Sequence, residues 1–400
     1  MKRLAGVLIL IALCPSTRVM AGQEATTRAG LIEEAQAEKA ADLHPFVQGR
    51  GEKAINDAVD LFLTGGLHWY PYFTSPYSGG GVPLGVGYVR FVSPSNQMAF
   101  RTAFTLSGYM RYEAEFFAPR LFNRRGVLTV VGGWRRATEA AYYGAGMTST
   151  QENRANFGFE QPYAIATLDV RPTRGLFLIR GGFEETQWKE VEPNSSSYPS
   201  VGSVYTPQTL PGLGSSPVYA HSLAMVAIDS RTSPGYSRRG TFLGVTVHDY
   251  TENNGQYGFN QITYEAVQHI PILREAWAIS LHGRADTTYE KSNQQIPYFM
   301  LPAIGGGDDL RAYSSWRYRD HNSLVLQAEW RVMVNRFVDT AVFYDAGKVT
   351  ARRTDLDLKG LQSDYGIGFR FHGPLSTPLR IDLAMGHEGL GFVFAAAQVF

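Results

Sequence analysis

The sequence predicts an all-β protein: a transmembrane antiparallel β-barrel of about sixteen strands, preceded by a short N-terminal helical segment. Three observations carry the prediction. From Gly305 to Phe400 the chain alternates apolar and polar side chains with period two, and the polar face is charged. The connections between such stretches alternate long and short. No stretch after the first few residues offers the run of about twenty apolar residues that a membrane helix needs, so a spanning structure here must be a closed barrel.

The alternation can be read residue by residue. Leu324, Leu326, Ala328, Trp330, Val332 and Val334 share one face of their segment, and Gln327, Glu329 and Arg331 share the other. Val338, Thr340, Val342 and Tyr344 oppose Asp339, Asp345 and Gly347. Tyr365, Ile367, Phe369 and Phe371 oppose Gly366, Gly368, Arg370 and His372, and Leu379, Ile381, Leu383 and Met385 oppose Arg380 and Asp382. A soluble sandwich turns its polar face to water. A membrane barrel turns its apolar face to lipid and its charges to a wet lumen, and the aromatic-rich apolar faces and terminal Phe400 favour the barrel.

Taken in order, residues 1–21 read as a secretory signal: Lys2 and Arg3 are followed by the apolar run Ala5–Leu13 and by Val19-Met20-Ala21 as cleavage site. Cys14 is the only cysteine, and Leu13 before it argues against lipidation. Residues 22–66 read as a periplasmic helical segment, with helices expected over 27–43 and 53–64. They serve either as a linker or as an amphipathic element at the membrane surface or barrel mouth. Residues 67–400 form the barrel. Its strands are expected near 67–73, 83–92, 98–107, 109–118, 126–136, 157–170, 175–189 and 218–230. The remainder fall near 241–251, 257–269, 275–289, 322–334, 337–349, 361–372, 377–387 and 390–400. With that count the long loops 137–156, 190–217 and 291–321 share one end of the barrel, and the short turns share the other.

Composition agrees. A net charge of +1 gives no electrostatic footprint for nucleic acid. Aromatic residues at 13% and 42 glycines suit interface girdles and tight turns. The mean hydropathy of −0.18 is polar for a membrane protein, but barrel strands are apolar on one face only.

Several motifs resemble the bacterial surface antigen family, the BamA/TamA superfamily of sixteen-stranded outer-membrane assembly barrels. They are GGGDDLRAY at 305–313, FYDAGKV at 343–349, DYGIGFRFH at 364–372 and the phenylalanine-ended last strand. The turn bearing Asp229, Arg231, Pro234 and Gly240 is also similar to the family's pattern. The resemblance covers residues 67–400 and implies that the long loop before residue 322 folds back into the lumen. Arg311 on that loop would then be held by Glu329 and Asp345, with Tyr313 and Gly347 in the same motifs. Those two carboxylates lie on polar faces of adjacent strands, so the local pattern agrees. Two departures stand out: Ala312 occupies a position that is usually glycine, and the roughly forty-five residues before the barrel are too few for a POTRA module. The chain looks like the short branch of the family.

The same resemblance implies a lateral seam, where the first strand with Pro71 and Tyr72 meets the last with Phe394 and Phe400. Pro71 donates no ladder hydrogen bond. The function implied is assembly, insertion or translocation of proteins at the bacterial outer membrane, and the alternative is a passive pore or structural barrel. Partners implied are outer-membrane lipids, polypeptide or lipoprotein clients and a periplasmic accessory protein. No enzyme is indicated. The histidines form no zinc-ligand spacing, no cofactor motif is present, and His221-Ser222 or His282, Arg284 and Asp286 specify no nucleophile–base pair.

Overall fold

Period-two alternation builds one continuous antiparallel sheet. The computed structural model describes residues 68–400 except 174, 195–196, 274–275, 374–375 and 397–399, together with positions 32, 35, 36, 38 and 39. Two compact units are distinguished, Met1–Asp60 and Leu61–Phe400. In the first, the five described positions are helical and fall within the helix expected over 27–43. The expected signal segment and the helix at 53–64 lie outside the described residues.

In the second unit sixteen strands form the wall. They are β1 Trp69–Pro71, β2 Pro83–Phe91, β3 Gln97–Thr105, β4 Met110–Arg120, β5 Gly126–Tyr142 and β6 Ala155–Val170. Next come β7 Phe177–Gln187, continued by Lys189–Val191, then β8 Val218–Asp229, β9 Gly240–Glu252, β10 Phe259–Ile272 and β11 Trp277–Glu290. The last five are β12 Asn322–Asn335, β13 Val338–Thr350, β14 Gln362–Phe371, β15 Leu379–Gly386 and β16 Gly389–Ala395. Each pairs antiparallel with the next. Among the described residues β1 and β16 share no ladder; they meet through the rings of Phe73 and Phe394, 6.2 Å apart.

The burial pattern is that of a membrane barrel. Val342 and Tyr344 on β13 and Tyr365 and Ile367 on β14 are more than half exposed, while the largest fully buried side chains include Arg311, Arg370 and Arg380. A soluble protein reverses this order, because burying charge costs far more than exposing an apolar group. The outward face therefore belongs against lipid, and the charges belong in the lumen.

Three boundaries depart from expectation, each for a local reason. β1 is only three residues long, because Pro71 has no N–H to extend its ladder; Tyr72 adds one bond, its N–H donating to Gly85 O at 2.9 Å. β5 runs on to Tyr142 through a bulge at Ala137/Ala140, so the loop after it is 143–154 rather than 137–156. Those extra residues pack on loop side chains instead of lipid, which removes the alternation that would have marked them. β16 stops at Ala395 instead of reaching the terminus. Phe400 is thus not at the seam. Its ring lies 5.0 Å from His282 inside the barrel, against the apolar patch of Leu178, Met225, Ala227, Phe242 and Val267.

Ile367 faces outward at the middle of β14. Ile367→Arg should lower stability by about 2–4 kcal/mol, read as an earlier urea midpoint for loss of the folded, heat-modifiable band. An unchanged midpoint would mean that this face does not contact lipid.

Candidate functional site: a charged clamp inside the lumen

The loop between β11 and β12 folds back into the barrel. A two-stranded ladder, Ala303–Ile304 with Tyr318–Arg319, closes its base and presents residues 305–317 as a tip. Gly305 turns the chain at φ +112°, and a Cβ there would stand 2.5 Å from Ser314 O, so only glycine fits. The tip lies directly on the inner wall. A Cβ on Gly391 of β16 would be 2.4 Å from Arg311 O, and one on Gly386 would be 2.9 Å from Ala312 Cβ.

This contact delivers Arg311 to the wall. Its Nε donates to Asp345 Oδ2 at 2.8 Å and its Nη2 to Asp345 Oδ1 at 3.1 Å, a two-pronged pairing on β13. Nη1 donates to Glu329 on β12 at 3.2 Å and to Asp382 on β15 at 3.3 Å. The guanidinium also sits 3.6 Å from the centroid of the Phe343 ring. Burial alone would lower the pKa of Arg311, but Asp345, Glu329 and Asp382 more than offset this and raise it.

Two more arginines complete the cluster. Arg370 of β14 donates to both Glu329 oxygens, at 3.1 and 2.7 Å, and to Asp382. Arg380 of β15 donates to Asp382 at 3.1 Å and to Gly307 O and Asp308 of the loop, both at 2.7 Å. Arg311, Arg370 and Arg380 thus balance Glu329, Asp345 and Asp382, all of them buried. A second contact comes from Asp364, which accepts the Ala312 N–H at 3.0 Å. Around the charges, Ile304, Leu310, Tyr313, Tyr318, Val325, Phe343 and Val349 form an apolar collar.

The turn end has its own dock. The turn 230–239 between β8 and β9 sends Arg238 into the barrel, where it donates to Asp339 of β13 at 2.6 Å. Tyr236 stacks on His372 with ring centroids 3.8 Å apart and donates to Asp339 at 3.0 Å. Arg331 joins the two docks: it donates to Ser237 O at 2.9 Å and stands 3.7 Å from Glu329 Oε1. At the loop end Tyr77, Tyr142, Phe157, Phe159, Trp188 and Tyr298 pack as an aromatic core.

Of the residues singled out from the sequence, Arg311, Glu329 and Asp345 come together. Tyr313 instead donates to Gln362 at 3.1 Å and joins the collar, and Gly347 makes room for Ile304, which a Cβ would approach to 3.2 Å. Pro71, Tyr72 and Phe394 lie at the seam, and Phe400 does not. Arg370, Arg380 and Asp382 were placed on the lumen side by the alternation, but their part in the clamp was missed. The available signal was charge at consecutive inward positions, which is costly unless paired. His221 bonds Glu184 at 2.9 Å and His248 at 3.0 Å, while His282 bonds Gln327 at 2.8 Å; among the described residues no serine hydroxyl bonds to either. Among the described residues no His, Cys, Asp and Glu group is arranged to hold a metal.

Fold, lumen and outward face define a transmembrane β-barrel of the outer-membrane kind. Residues 220–398 match the Omp85 superfamily domain. The chain is similar in fold to BamA from Haemophilus ducreyi lacking POTRA domains 1–3, with a TM-score of 0.57 and 14% identity over 82% of this chain and 68% of that one. It is also similar to CdiB from Acinetobacter baumannii, at TM-score 0.50 and 10% identity over 79% of this chain and 56% of the other. CdiB from Escherichia coli gives 0.53 and 10%, over 80% and 57%. The chain therefore spans little more than half of each CdiB chain. No curated protein matches the sequence.

Arg311→Ala leaves the buried Asp345 without its guanidinium partner, while Arg370 and Arg380 still hold Glu329 and Asp382, and should cost on the order of 3–5 kcal/mol. Limited trypsin digestion should then cut faster at Arg317 and Arg319, which are buried beside the clamp. Arg311→Lys should recover only part of the loss, since a point charge cannot pair with both Asp345 oxygens in one plane. Unaltered loop cleavage in Arg311→Ala would mean that the loop docks without its guanidinium.

Proposed function

We propose that this barrel assembles, inserts or translocates polypeptides at the outer membrane by opening between β1 and β16. The observation that carries the reading is the seam. A three-residue β1 ending in proline faces a seven-residue β16, and among the described residues no ladder joins them. Every other neighbouring pair in the wall is joined by a ladder, the shortest being the three residues of β1 on β2, so the seam is where the least hydrogen bonding opposes lateral opening.

The clamp suits that role. It binds the loop tip to β12, β13 and β15 and sets its backbone on Gly391, bracing the inner side of β16 while leaving its edge unpaired. A cavity of about 570 Å³ lies behind the seam, bounded by Phe73 to Val82, the loop tip and the β16 segment Leu390–Ala396. An extended segment entering there would meet the β16 backbone, and ladder hydrogen bonds recognise a strand without reading its sequence. The partners of this reading are a polypeptide or lipoprotein client and a periplasmic accessory protein. Catalysis has no part in it.

A passive pore accords poorly with a lumen crossed by the clamp, the turn 230–239 and the loop-end aromatic core. The seam can be tested directly, because Cys14 is the chain's only cysteine. Phe73→Cys with Phe394→Cys should allow an oxidative cross-link that removes a defined set of barrels or lipoproteins from the cell surface, with recovery on reduction. Wild-type surface proteins in fully cross-linked cells would overturn the proposal. A steady open conductance of the cross-linked protein in planar bilayers would favour the pore.

A further inference from the structure

The turn end of the wall carries arginines that none of the docks uses. On the outward face of β2, Leu84, Val86 and Tyr88 are followed by Arg90; on that of β4, Tyr112 and Phe116 are followed by Arg120. The next turn adds Arg124 and Arg125. All four are exposed, and none makes an ion pair with a described carboxylate. Carboxylates near this end, Asp169, Asp229 and Asp339, are already bonded to Arg180, to Arg171 and Arg231, and to Arg238. Among the described residues of the second unit, the lysines Lys189, Lys291, Lys348 and Lys359 all lie towards the loop end.

Each free arginine stands beside an exposed apolar side chain. Arg90 precedes Phe91 and Val92, 63% and 51% exposed. In the turn after β4, the left-handed backbone of Phe122, Asn123 and Arg124, at φ +50°, +58° and +67°, holds Phe122 outward at 62% exposure between Arg120 and Arg124. The following turn is tied to this one by the Arg171 N–H, which donates to Arg125 O at 2.7 Å, and it adds Leu176 and Phe177, each 52% exposed. A soluble acidic partner would need the charges alone. Guanidinium beside exposed aromatic and aliphatic groups, at the end of lipid-facing columns, is the chemistry of the bilayer interface.

We propose that this rim, built on Arg90, Arg120, Arg124 and Arg125, binds the phosphodiester headgroups of anionic phospholipids in the leaflet at the turn end. Arginine pairs its planar fork with two phosphate oxygens. Among the described residues no unpaired carboxylate stands nearby to receive the cation of a zwitterionic headgroup, so the rim favours net negative charge. The patch lies on the strands that follow β1, so a lipid held there would border the seam. The inference stands on the outward face alone and does not depend on the assembly reading.

The test uses the full-length protein in mild detergent, with phosphatidylglycerol or phosphatidylcholine added and retained lipid counted by native mass spectrometry. Wild type should retain phosphatidylglycerol in preference, and the preference should fall by about fivefold for each arginine removed. R124Q/R125Q and the quadruple variant with R90Q and R120Q should show graded losses, with heat-modifiable mobility confirming the fold. Equal retention of the two lipids, or an undiminished preference in the quadruple variant, would overturn the proposal. Displacement of the lipid by millimolar inorganic phosphate would reduce the rim to a general anion site. Displacement by polyglutamate at equal charge would reassign it to an acidic protein.

Discussion

Arg311 and the carboxylates of Glu329, Asp345 and Asp382 share a space from which water is excluded, and each needs the others to be there. Taking a single ion from water into a protein interior costs several kcal/mol, and only close, multiply bonded partners repay it. That condition spreads outward. Glu329 and Asp382 have more acceptor capacity than Arg311 can fill, and Arg370 and Arg380 take it up. Arg380 reaches back to Gly307 O and Asp308, so the wall grips the loop from both sides of Arg311. The loop is part of the barrel's core rather than an appendage to it.

The rest of the lumen follows from the same constraint. A barrel of this size without a filled interior would leave these charges facing water, where pairing is worth little. The aromatic core at the loop end and the turn 230–239 at the other end fill the lumen on either side of the clamp. β12 is the axis of the arrangement. Its inward residues Gln327, Glu329 and Arg331 take the loop by Asp309 O, the clamp by Arg311 and Arg370, and the turn by Ser237 O, one after another. A shift of β12 would disturb both docks together, which makes this strand the mechanical link between the two ends.

Much of this was legible in the residues. The period-two pattern placed each of the sixteen wall strands to within a few residues, because one face must meet lipid and the other cannot. It failed where strands leave the lipid: β5 beyond Ala137 packs on loops, and β16 ends at Ala395 rather than at the terminus. Arg311, Glu329 and Asp345 were found through motifs joined to inward parity. Arg370, Arg380 and Asp382 had the right parity, but parity says which way a side chain points and not what waits across the lumen. Arg238 was harder still. It lies in a turn, where an arginine is ordinarily solvated, and only the inward fold of residues 230–239 brings it to Asp339. Phe400 was misplaced because a terminal aromatic fits a strand end as well as it fits an apolar patch inside.

The claim that the loop is held by charge pairing, and not by its apolar collar alone, rests most directly on Arg311 and Asp345. A double-mutant cycle with Arg311→Met and Asp345→Asn, read by urea unfolding of the reconstituted barrel, isolates their coupling. The structure predicts a coupling energy of about 2–3 kcal/mol, with the double variant more stable than the sum of the single losses implies. Additivity within about 0.5 kcal/mol would contradict the account and leave the collar as what holds the loop.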